Sequence, residues 1–255
     1  MNNKDKSLTG KVAIVTGGGN GVGRGIALAL ADAGADVVIC GRTEASLVRV
    51  AEEIQARGAK VLVVRCDVTL VADLDRLINS TIESFGTIDI LINNAALIPH
   101  GSLLTIDESV IQGAWDAGPL AALRLMRRAH PYLTGDGAIV NVSSGIAIAD
   151  KADNRGIYAA TKAALNAISR AAANEWGGDG IRTNVIMPFA RTEKVNQFFA
   201  NEPLMANNIL SQNPLGRVGD PELDIGRAVV FLVGPGGSYI NGVTLPLDGG
   251  SSYVR

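Results

Sequence analysis

The sequence predicts a doubly wound α/β fold, with a mostly parallel seven-stranded sheet between two layers of helices. Short β-branched and aliphatic runs alternate with stretches of helical periodicity along the whole chain. Most of these runs are apolar on both faces, which is typical of parallel strands covered by helices on each side. A glycine-rich turn joins the first run to the first helix. No linker or repeat divides residues 1–255, so we expect a single domain.

Seven runs have the length and composition of strands. In chain order they are VAIVT at 12–16, DVVIC at 36–40, VLVVRC at 61–66, IDILIN at 88–93, AIVNV at 138–142, RTNVI at 182–186 and VTLPL at 243–247. Six segments with apolar residues at helical spacing lie between them, at 25–33, 44–57, 71–85, 109–133, 157–176 and 224–232. Asp67 or Thr69 is available to cap the third helix.

Residues 188–214 form the exception to this alternation, because they carry mixed helical signals and no clear strand. Long irregular segments in compact domains are often lids or binding loops. We therefore expect a substrate loop here, whose part 191–212 closes over a bound molecule. The charged segment 150–155 is interpreted as solvated surface.

The composition excludes several classes of partner. Charged residues make up 19% of the chain and the net charge is −2, so nucleic acid is not expected as a partner. The first ten residues are polar and no apolar run reaches membrane length, which predicts a soluble cytoplasmic protein without a membrane partner. Cys40 and Cys66 lie in strand-like runs and are expected as buried free thiols; no metal site is predicted.

The turn after the first strand reads TGGGNGVGRG, residues 16–25. A glycine turn between a strand and a helix brings backbone N–H groups close to a phosphate, and the helix N-terminus adds partial positive charge. Gly17, Gly21 and Gly23 are the expected positions of close approach, where a side chain would block a pyrophosphate. The alternative is a purely structural turn. Its position between the first strand and helix favours a dinucleotide site of the Rossmann type.

At this turn, which is one residue longer than the common dinucleotide fingerprint, the chain resembles the short-chain dehydrogenase/reductase family. The resemblance continues through CDVT at 66–69, NNAA at 93–96, VNVSS at 140–144, YAATK at 158–162 and LDGG at 247–250. It implies cofactor contacts from two groups of residues. One is the glycine turn, including Asn20 and Val22; the other comprises Asp67 and Val68 beside the adenine, Asn93 and Asn94 at a strand end near the ribose, and Thr192 at the nicotinamide amide.

The second strand ends in Cys40-Gly41-Arg42-Thr43, without an acidic residue. An acid at this position would bind the ribose hydroxyls of NAD(H), whereas an arginine pairs with the 2′-phosphate of NADP(H). Arg42 therefore favours NADP(H) over NAD(H). The alternative is an exposed arginine at the start of a helix.

Tyr158 and Lys162 lie four residues apart on a predicted helix and therefore share one face. A nearby ammonium favours the phenolate and lowers the tyrosine pKa, so Tyr158 can exchange a proton with a carbonyl or alcohol oxygen. Ser144 ends the fifth strand, where its hydroxyl can orient that oxygen. The alternatives are an ordinary helix surface pair for Tyr158 and Lys162, and a turn cap for Ser144. The constellation predicts a ketoreductase-type enzyme acting on a carbonyl or secondary alcohol.

The chain departs from the family at three places. Gly118 stands at the apparent position of a catalytic asparagine, and Pro119 beside it should kink the helix. Phe189 replaces a usual glycine and, with other apolar residues of 188–214, suggests an apolar or cyclic small-molecule substrate. Ala96 also replaces a usual glycine.

Because of Gly118, a catalytically impaired NADP-binding sensor or scaffold is an alternative to the enzyme, and dehydration or epimerisation is a third hypothesis. The resemblance also implies a homodimer or homotetramer.

Overall fold

The computed structural model describes residues 6–149 and 152–252, which contain one seven-stranded parallel sheet. The predicted doubly wound Rossmann-type fold is confirmed. The strand order is β3-β2-β1-β4-β5-β6-β7. The strands are β1 (Val12–Thr16), β2 (Asp36–Gly41), β3 (Val61–Arg65), β4 (Ile90–Asn93), β5 (Gly137–Val142), β6 (Ile181–Pro188) and β7 (Thr244–Leu247).

The helices cover both faces of the sheet. They are α1 (Gly21–Asp32), α2 (Glu44–Gln55), α3 (Val71–Phe85), α4 (Glu108–Trp115), α5 (Ala121–Leu133), α6 (Gly156–Trp176), α7 (Glu193–Asn201), α8 (Pro203–Gln212) and α9 (Arg227–Val233). Apolar residues of α1, α2 and α9 pack in the core on one face, and those of α3, α5 and α6 pack on the other. No helix within 6–149 and 152–252 is long and apolar enough to cross a membrane.

The order in which strands are added to the sheet changes direction between β1 and β4: β2 and β3 lie on one side of β1, and β4 to β7 lie on the other. β1 pairs with β2 on one side and with β4 on the other, and all three run parallel. The connections that leave β1 and β4 therefore depart toward opposite faces, and a crevice opens at the carboxyl ends of these strands. The fold thus places a ligand site at this edge before any side chain is considered.

Several predicted boundaries were wrong. Helix α1 begins at Gly21 rather than at residue 25, because the glycines of the turn adopt its first helical positions. The predicted helix 109–133 is divided into α4 and α5 by a π-helical turn at Asp116–Leu120. The predicted irregular segment 188–214 contains the end of β6 and the two helices α7 and α8. Helix α9 is preceded by a second π-helical turn, Pro221–Gly226.

Both cysteines are buried free thiols, as predicted. The cap of α3 differs from the prediction: its N-cap position is Leu70, which makes no side-chain cap. Asp67 instead accepts hydrogen bonds from the backbone N–H and hydroxyl of Thr69, and its own N–H donates to Asp73.

Helix α1 packs directly against the π-helical turn Pro221–Gly226 because glycines face each other there. A methyl group on Gly25 would overlap the backbone carbonyl of Pro221, and one on Gly226 would lie 2.6 Å from the Cβ of Ala29. Backbone atoms on both sides leave no flexible side chain that can yield. The contact fixes the helix that carries the glycine turn.

Replacing Gly25 with alanine should therefore destabilise the protein. Helix propensity alone would favour alanine by about 1 kcal/mol. Overpacking of a rigid contact costs about 1–3 kcal/mol and should exceed this gain here, because the obstacle is backbone. We expect a net loss of about 1–2 kcal/mol in the free energy of unfolding, measured by urea titration.

Gly178→Ala is the matched control, since a Cβ at Gly178 meets nothing within 4 Å. Its free energy of unfolding should stay within about 0.5 kcal/mol of the wild type. Equal stability of the Gly25→Ala variant would contradict the packing argument.

Candidate active site

The hydroxyl of Thr16 joins the carboxyl ends of β1 and β4. Its Oγ1 donates to the carbonyl of Ile92 at 3.3 Å and accepts from the N–H groups of Asn94 at 2.9 Å and Ala95 at 3.0 Å. The Asn94 amide then donates to the carbonyls of Thr16, at 2.9 Å, and Gly17, at 3.2 Å. These bonds fix the glycine turn relative to the chain that leaves β4.

The three glycines of the turn are required for different reasons. Gly17 and Gly21 have φ of +65° and +52°, a region that favours glycine. A Cβ on Gly23 would overlap the Gly17 carbonyl, and a Cβ on Gly17 would lie 2.8 Å from the Asn94 amide nitrogen. A Cβ at either position would therefore meet the protein's own turn, and the expected close approach of a pyrophosphate to these glycines stays a prediction. The N-terminus of α1 remains open to a phosphate.

A cavity of about 290 Å³ lies on the β2 and β3 side of the turn. Arg42, Asp67 and Val68 line it, together with Asn20 and Gly17 of the turn. Arg42 forms no ion pair with a residue in the described part of the chain, so its guanidinium is available to a ligand. This cavity suits an adenosine, with the positive charge at its β2 edge.

A second cavity, of about 370 Å³, lies on the β4 and β5 side and shares Asn20 and Ala96 with the first. The predicted site residues meet here: Asn20, Gly21, Val22, Asn94, Ser144, Tyr158, Lys162 and Thr192 line this cavity. The two cavities with the glycine turn between them match the two halves of a nicotinamide dinucleotide. Gly23 lies behind the turn and lines neither cavity.

Asn93 and Thr192 have roles that the sequence did not specify. The predicted position of Asn93, near the ribose, is not its main contact, since it is buried and its amide nitrogen donates to Asn141 Oδ1 at 2.8 Å. Thr192 caps α7 by accepting from the N–H of Val195, and its methyl group faces Gly21. Thr192 therefore links the start of α7 to the glycine turn.

Tyr158 projects from the first turn of α6 toward Ser144. Burial raises the pKa of Tyr158 above its ordinary value, and the Ser144 hydroxyl and the positive charge of Arg155 act in the opposite direction. Ser144 also accepts weakly from the N–H of Ile146, so it both caps a short turn and faces the tyrosine. The prediction that the Tyr158 pKa is lowered was therefore wrong, because the burial of the phenol outweighs the groups that favour the phenolate, and the protonated form can donate a proton.

Lys162 lies one turn further along α6 and is only 4% exposed. Its Nζ donates to the carbonyl of Val142 at 2.6 Å and lies 5.7 Å from the centroid of the Tyr158 ring. Burial lowers the pKa of Lys162 to about 8. The side chain is still largely protonated near neutral pH, and it therefore places a positive charge next to the phenol.

The predicted kink at Gly118 is present. Gly118 has non-helical dihedrals, φ −102° and ψ −109°, within the π-helical turn that contains Pro119. A Cβ on Gly118 would lie 3.7 Å from the Cβ of Thr161 on α6, an ordinary contact. The site thus has room for a side chain here but receives no amide from this helix.

Beyond Ser144 lies a third cavity, of about 370 Å³, which shares Ser144, Pro188 and Phe189 with the nicotinamide side. Its wall combines apolar side chains with polar and charged ones. Its remaining lining residues are Gly145, Ile146, Ala149, Arg155, Met187, Ile209, Gln212, Asp248, Ser251 and Ser252.

Sequence reasoning missed Arg155, which was interpreted as solvated surface. It lies three residues before Tyr158, about one helical turn, and this spacing was the available signal. Of the charged segment 150–155, positions 150 and 151 lie outside the described residues.

Helices α7 and α8 form a hairpin that is fixed at both ends to β7 and its neighbours. Before the hairpin, the Phe189 N–H donates to the Leu247 carbonyl at 3.0 Å and that of Arg191 to the Gly219 carbonyl at 2.7 Å. After it, the Asn213 amide donates to the Asp248 carbonyl at 2.8 Å. Between these points, Leu204 is 86% exposed and Met205 is 55% exposed.

Comparison with known proteins gives matches over almost the whole chain. A family model described as enoyl-(acyl carrier protein) reductase matches residues 17–252. The 12alpha-hydroxysteroid dehydrogenase of Clostridium sp. is 40% identical, over 94% of this chain and 96% of that protein.

Two solved structures share the fold. A 7 alpha-hydroxysteroid dehydrogenase complexed with NADH and 7-oxo glycochenodeoxycholic acid has a TM-score of 0.92 and 30% identity, covering 99% of this chain and 98% of that one. A short chain dehydrogenase from Burkholderia cenocepacia in complex with NADP has a TM-score of 0.88 and 30% identity, covering 96% and 99%.

Removal of the Thr16 hydroxyl should weaken both the fold and the dinucleotide site. In Thr16→Val, the N–H groups of Asn94 and Ala95 lose their shared acceptor. An unpaired buried donor costs about 1–3 kcal/mol, so we expect a loss of about 2–4 kcal/mol in the free energy of unfolding. Thr16→Ser keeps the hydroxyl and should lose about 1 kcal/mol or less. Urea unfolding and dinucleotide titration measure both effects; equal losses in the two variants would refute this role of the hydroxyl.

Proposed function

The chain belongs to the short-chain dehydrogenase/reductase family, and on this basis we propose that it is an NADP(H)-dependent oxidoreductase that interconverts a carbonyl and a secondary alcohol. The observation that carries the proposal is the position of Tyr158. Tyr158 lines the nicotinamide-side cavity beside Ser144, a residue that this cavity shares with the cavity beyond it, and Lys162 is buried one turn along the same helix. A substrate oxygen at this position has a proton donor, a hydrogen-bonding hydroxyl and a positive charge within reach.

The mechanism assigns one task to each side chain. The nicotinamide supplies or accepts the hydride when bound. In the reductive direction, the Tyr158 hydroxyl gives its proton to the substrate oxygen, and the Ser144 hydroxyl donates a hydrogen bond to the same atom. The Lys162 ammonium stabilises the phenolate that Tyr158 becomes. The reverse steps serve oxidation, and a proton must then return to Tyr158 before the next reduction.

The preference for NADP(H) is supported by Arg42. The solved relatives include one with NADP and one with NADH, so the family alone does not decide the cofactor. Arg42 lines the adenosine-side cavity together with Thr43 and Ser46. The acidic residue of this lining is Asp67, whose carboxylate accepts hydrogen bonds from the backbone N–H and hydroxyl of Thr69. A 2′-phosphate can accept hydrogen bonds from a guanidinium and neighbouring hydroxyls.

The substrate class follows from the cavity beyond Ser144. Ile146, Met187, Phe189 and Ile209 provide apolar surface in this cavity. We propose a substrate with an apolar or cyclic body, and the names of the hydroxysteroid dehydrogenases among the relatives agree with this class. The hairpin of α7 and α8 is the proposed substrate-covering segment. The proposal also includes assembly into a homodimer or homotetramer in the cytoplasm.

Tyr158→Phe should abolish turnover while leaving cofactor binding intact. Loss of a positioned acid or base lowers rates by about 100- to 10,000-fold, and the phenyl ring keeps the shape of the site. NADPH oxidation with a panel of cyclic ketones measures turnover, and NADPH fluorescence measures binding. Tyr239→Phe is the matched control, because Tyr239 is fully exposed. Dinucleotide binding without turnover on any substrate by the wild type would favour the sensor or scaffold instead.

Arg42→Gln should reverse the cofactor preference. Hydrogen bonds from a charged donor contribute about 1.5–3 kcal/mol, so the KM for NADPH should rise about 10- to 100-fold. The KM for NADH should change by less than about threefold, since NADH has no 2′-phosphate. Arg65→Gln, at the neighbouring strand end and outside the cavity lining, should leave both values unchanged. A wild type that prefers NADH would exclude the proposed role of Arg42.

A further inference from the structure

The ammonium of Lys162 has more donors than acceptors around it. An ammonium carries three N–H donors, and the Val142 carbonyl is the acceptor that the described residues provide for Lys162. Burial lowers the pKa of this lysine, which is 4% exposed. A buried cation with free donors is costly unless further acceptors are present. The structure around Lys162 therefore needs a second polar partner.

A small cavity lies against Lys162, between β1, β4, α5 and α6. Its volume is about 10 Å³, which is about the space that one water molecule requires. Thr16, Asn93, Gly118 and Lys162 border it, and the remaining wall is apolar: Val68, Ala95, Ala121, Ala122, Leu125 and Leu165. A single buried water needs at least two polar partners to be stable there.

Asn93 offers the second partner. The Thr16 hydroxyl is already saturated by its three hydrogen bonds across β1 and β4. The Asn93 amide nitrogen donates to Asn141, whereas its amide oxygen accepts no hydrogen bond from any residue in the described part of the chain. This oxygen keeps some accessible surface, and the small cavity beside Lys162 is the one that Asn93 borders, so we assign the oxygen to the wall of this cavity.

The orientation of the Asn93 amide is fixed by a chain of hydrogen bonds through the core. Ser169 Oγ donates to the Leu165 carbonyl at 2.6 Å, so it accepts from the Asn141 amide nitrogen at 2.8 Å. The oxygen of Asn141 must then accept from the Asn93 nitrogen. A flipped Asn93 would set two oxygens against each other. The chain thus directs the Asn93 oxygen away from Asn141.

We propose that Asn93 is a positioning residue for Lys162: its amide oxygen and the Lys162 ammonium bind one water molecule in the cavity between them. This water keeps the ammonium solvated on the side away from the cofactor and gives its proton an exchange partner. The inference rests on the proposed function for its catalytic meaning. At Gly118 the kinked turn between α4 and α5 has no side chain to offer this water. The side-chain amide comes instead from Asn93, the last residue of β4.

The other groups that face Lys162 do not provide this partner. On its own helix the neighbouring titratable group is Tyr158, at 5.7 Å from ring centroid to Nζ. Glu193 and Lys194 of α7 line the nicotinamide-side cavity, and neither borders the small cavity beside Lys162. The borders contributed by β1, β4 and α5 contain no titratable side chain among the described lining residues.

The test is the titration of Lys162 in the protein without substrate, followed by NMR of 13C-labelled lysine and assigned with Lys162→Met. Asn93→Leu keeps the approximate shape and removes the oxygen, so the ammonium loses its bridged acceptor and the Lys162 pKa should fall by about one unit. Asn93→Asp keeps an oxygen and adds negative charge, so the same pKa should rise by about one unit or more. Ser169→Ala breaks the hydrogen-bond chain at its far end and should move the pKa by less than half of this amount.

Circular dichroism first establishes that each variant is folded; if Asn93→Leu is not, the upward shift in Asn93→Asp decides. In active protein, the apparent pKa of the kcat–pH profile that is assigned to Lys162 should shift in the same direction as the NMR titration. Addition of Gly118→Asn to the Asn93→Leu variant should return this pKa toward the wild-type value. An unchanged titration in both Asn93 variants, or an equal shift in Ser169→Ala, would overturn the proposal. An inactive wild type with the expected Lys162 shifts would refute the proposed function and leave the water site standing.

Discussion

The hydroxyl of Thr16 is the contact on which the dinucleotide site depends. Hydrogen bonds between parallel strands hold the strand backbones in register. After β1 and β4, however, the chain leaves toward opposite faces of the sheet. The hydrogen bonds of the sheet therefore do not hold together the two segments that follow these strands. Thr16 does so by accepting two N–H groups from the β4 side and donating to Ile92. The Asn94 amide completes the link to Gly17. The crevice is open because the strands diverge, and it keeps its shape because of this cluster.

The architecture, and the meeting of Ser144, Tyr158 and Lys162 in one cavity, could be predicted from sequence because both depend on local patterns. Fully apolar strands, the turn of residues 16–25 and the Tyr158 and Lys162 spacing each carry their own physical signal. Other features depend on contacts distant in sequence. Gly23 was assigned to pyrophosphate contact, but its neighbours in space are Gly17 and Asn94. Arg155 looked like solvated charge until the fold placed it beside Ser144.

The hairpin of α7 and α8 shows a different limit of prediction. Its segment has weak helical periodicity because its helices bury few residues: α7 buries none and α8 buries Ala206. Leu204 and Met205 remain exposed. The kink at Gly118, in contrast, could be predicted from sequence, since the effect of Pro119 on a helix is local. What sequence could not supply there was the neighbouring cavity beside Lys162.

The two ends of that hairpin are fixed to β7 and the chain around it, while the nucleotide half of the crevice is built from β1 to β4. Apart from the contact of Thr192 with Gly21, the described bonds that fix the hairpin ends lie outside the glycine turn. The first residues of α7 also line the nicotinamide-side cavity, whereas residues 196–212 line neither of the two cavities beside the glycine turn. The length and composition of 196–212 can therefore vary between two fixed ends. A different substrate can be accommodated in this way while the dinucleotide cavities keep their lining.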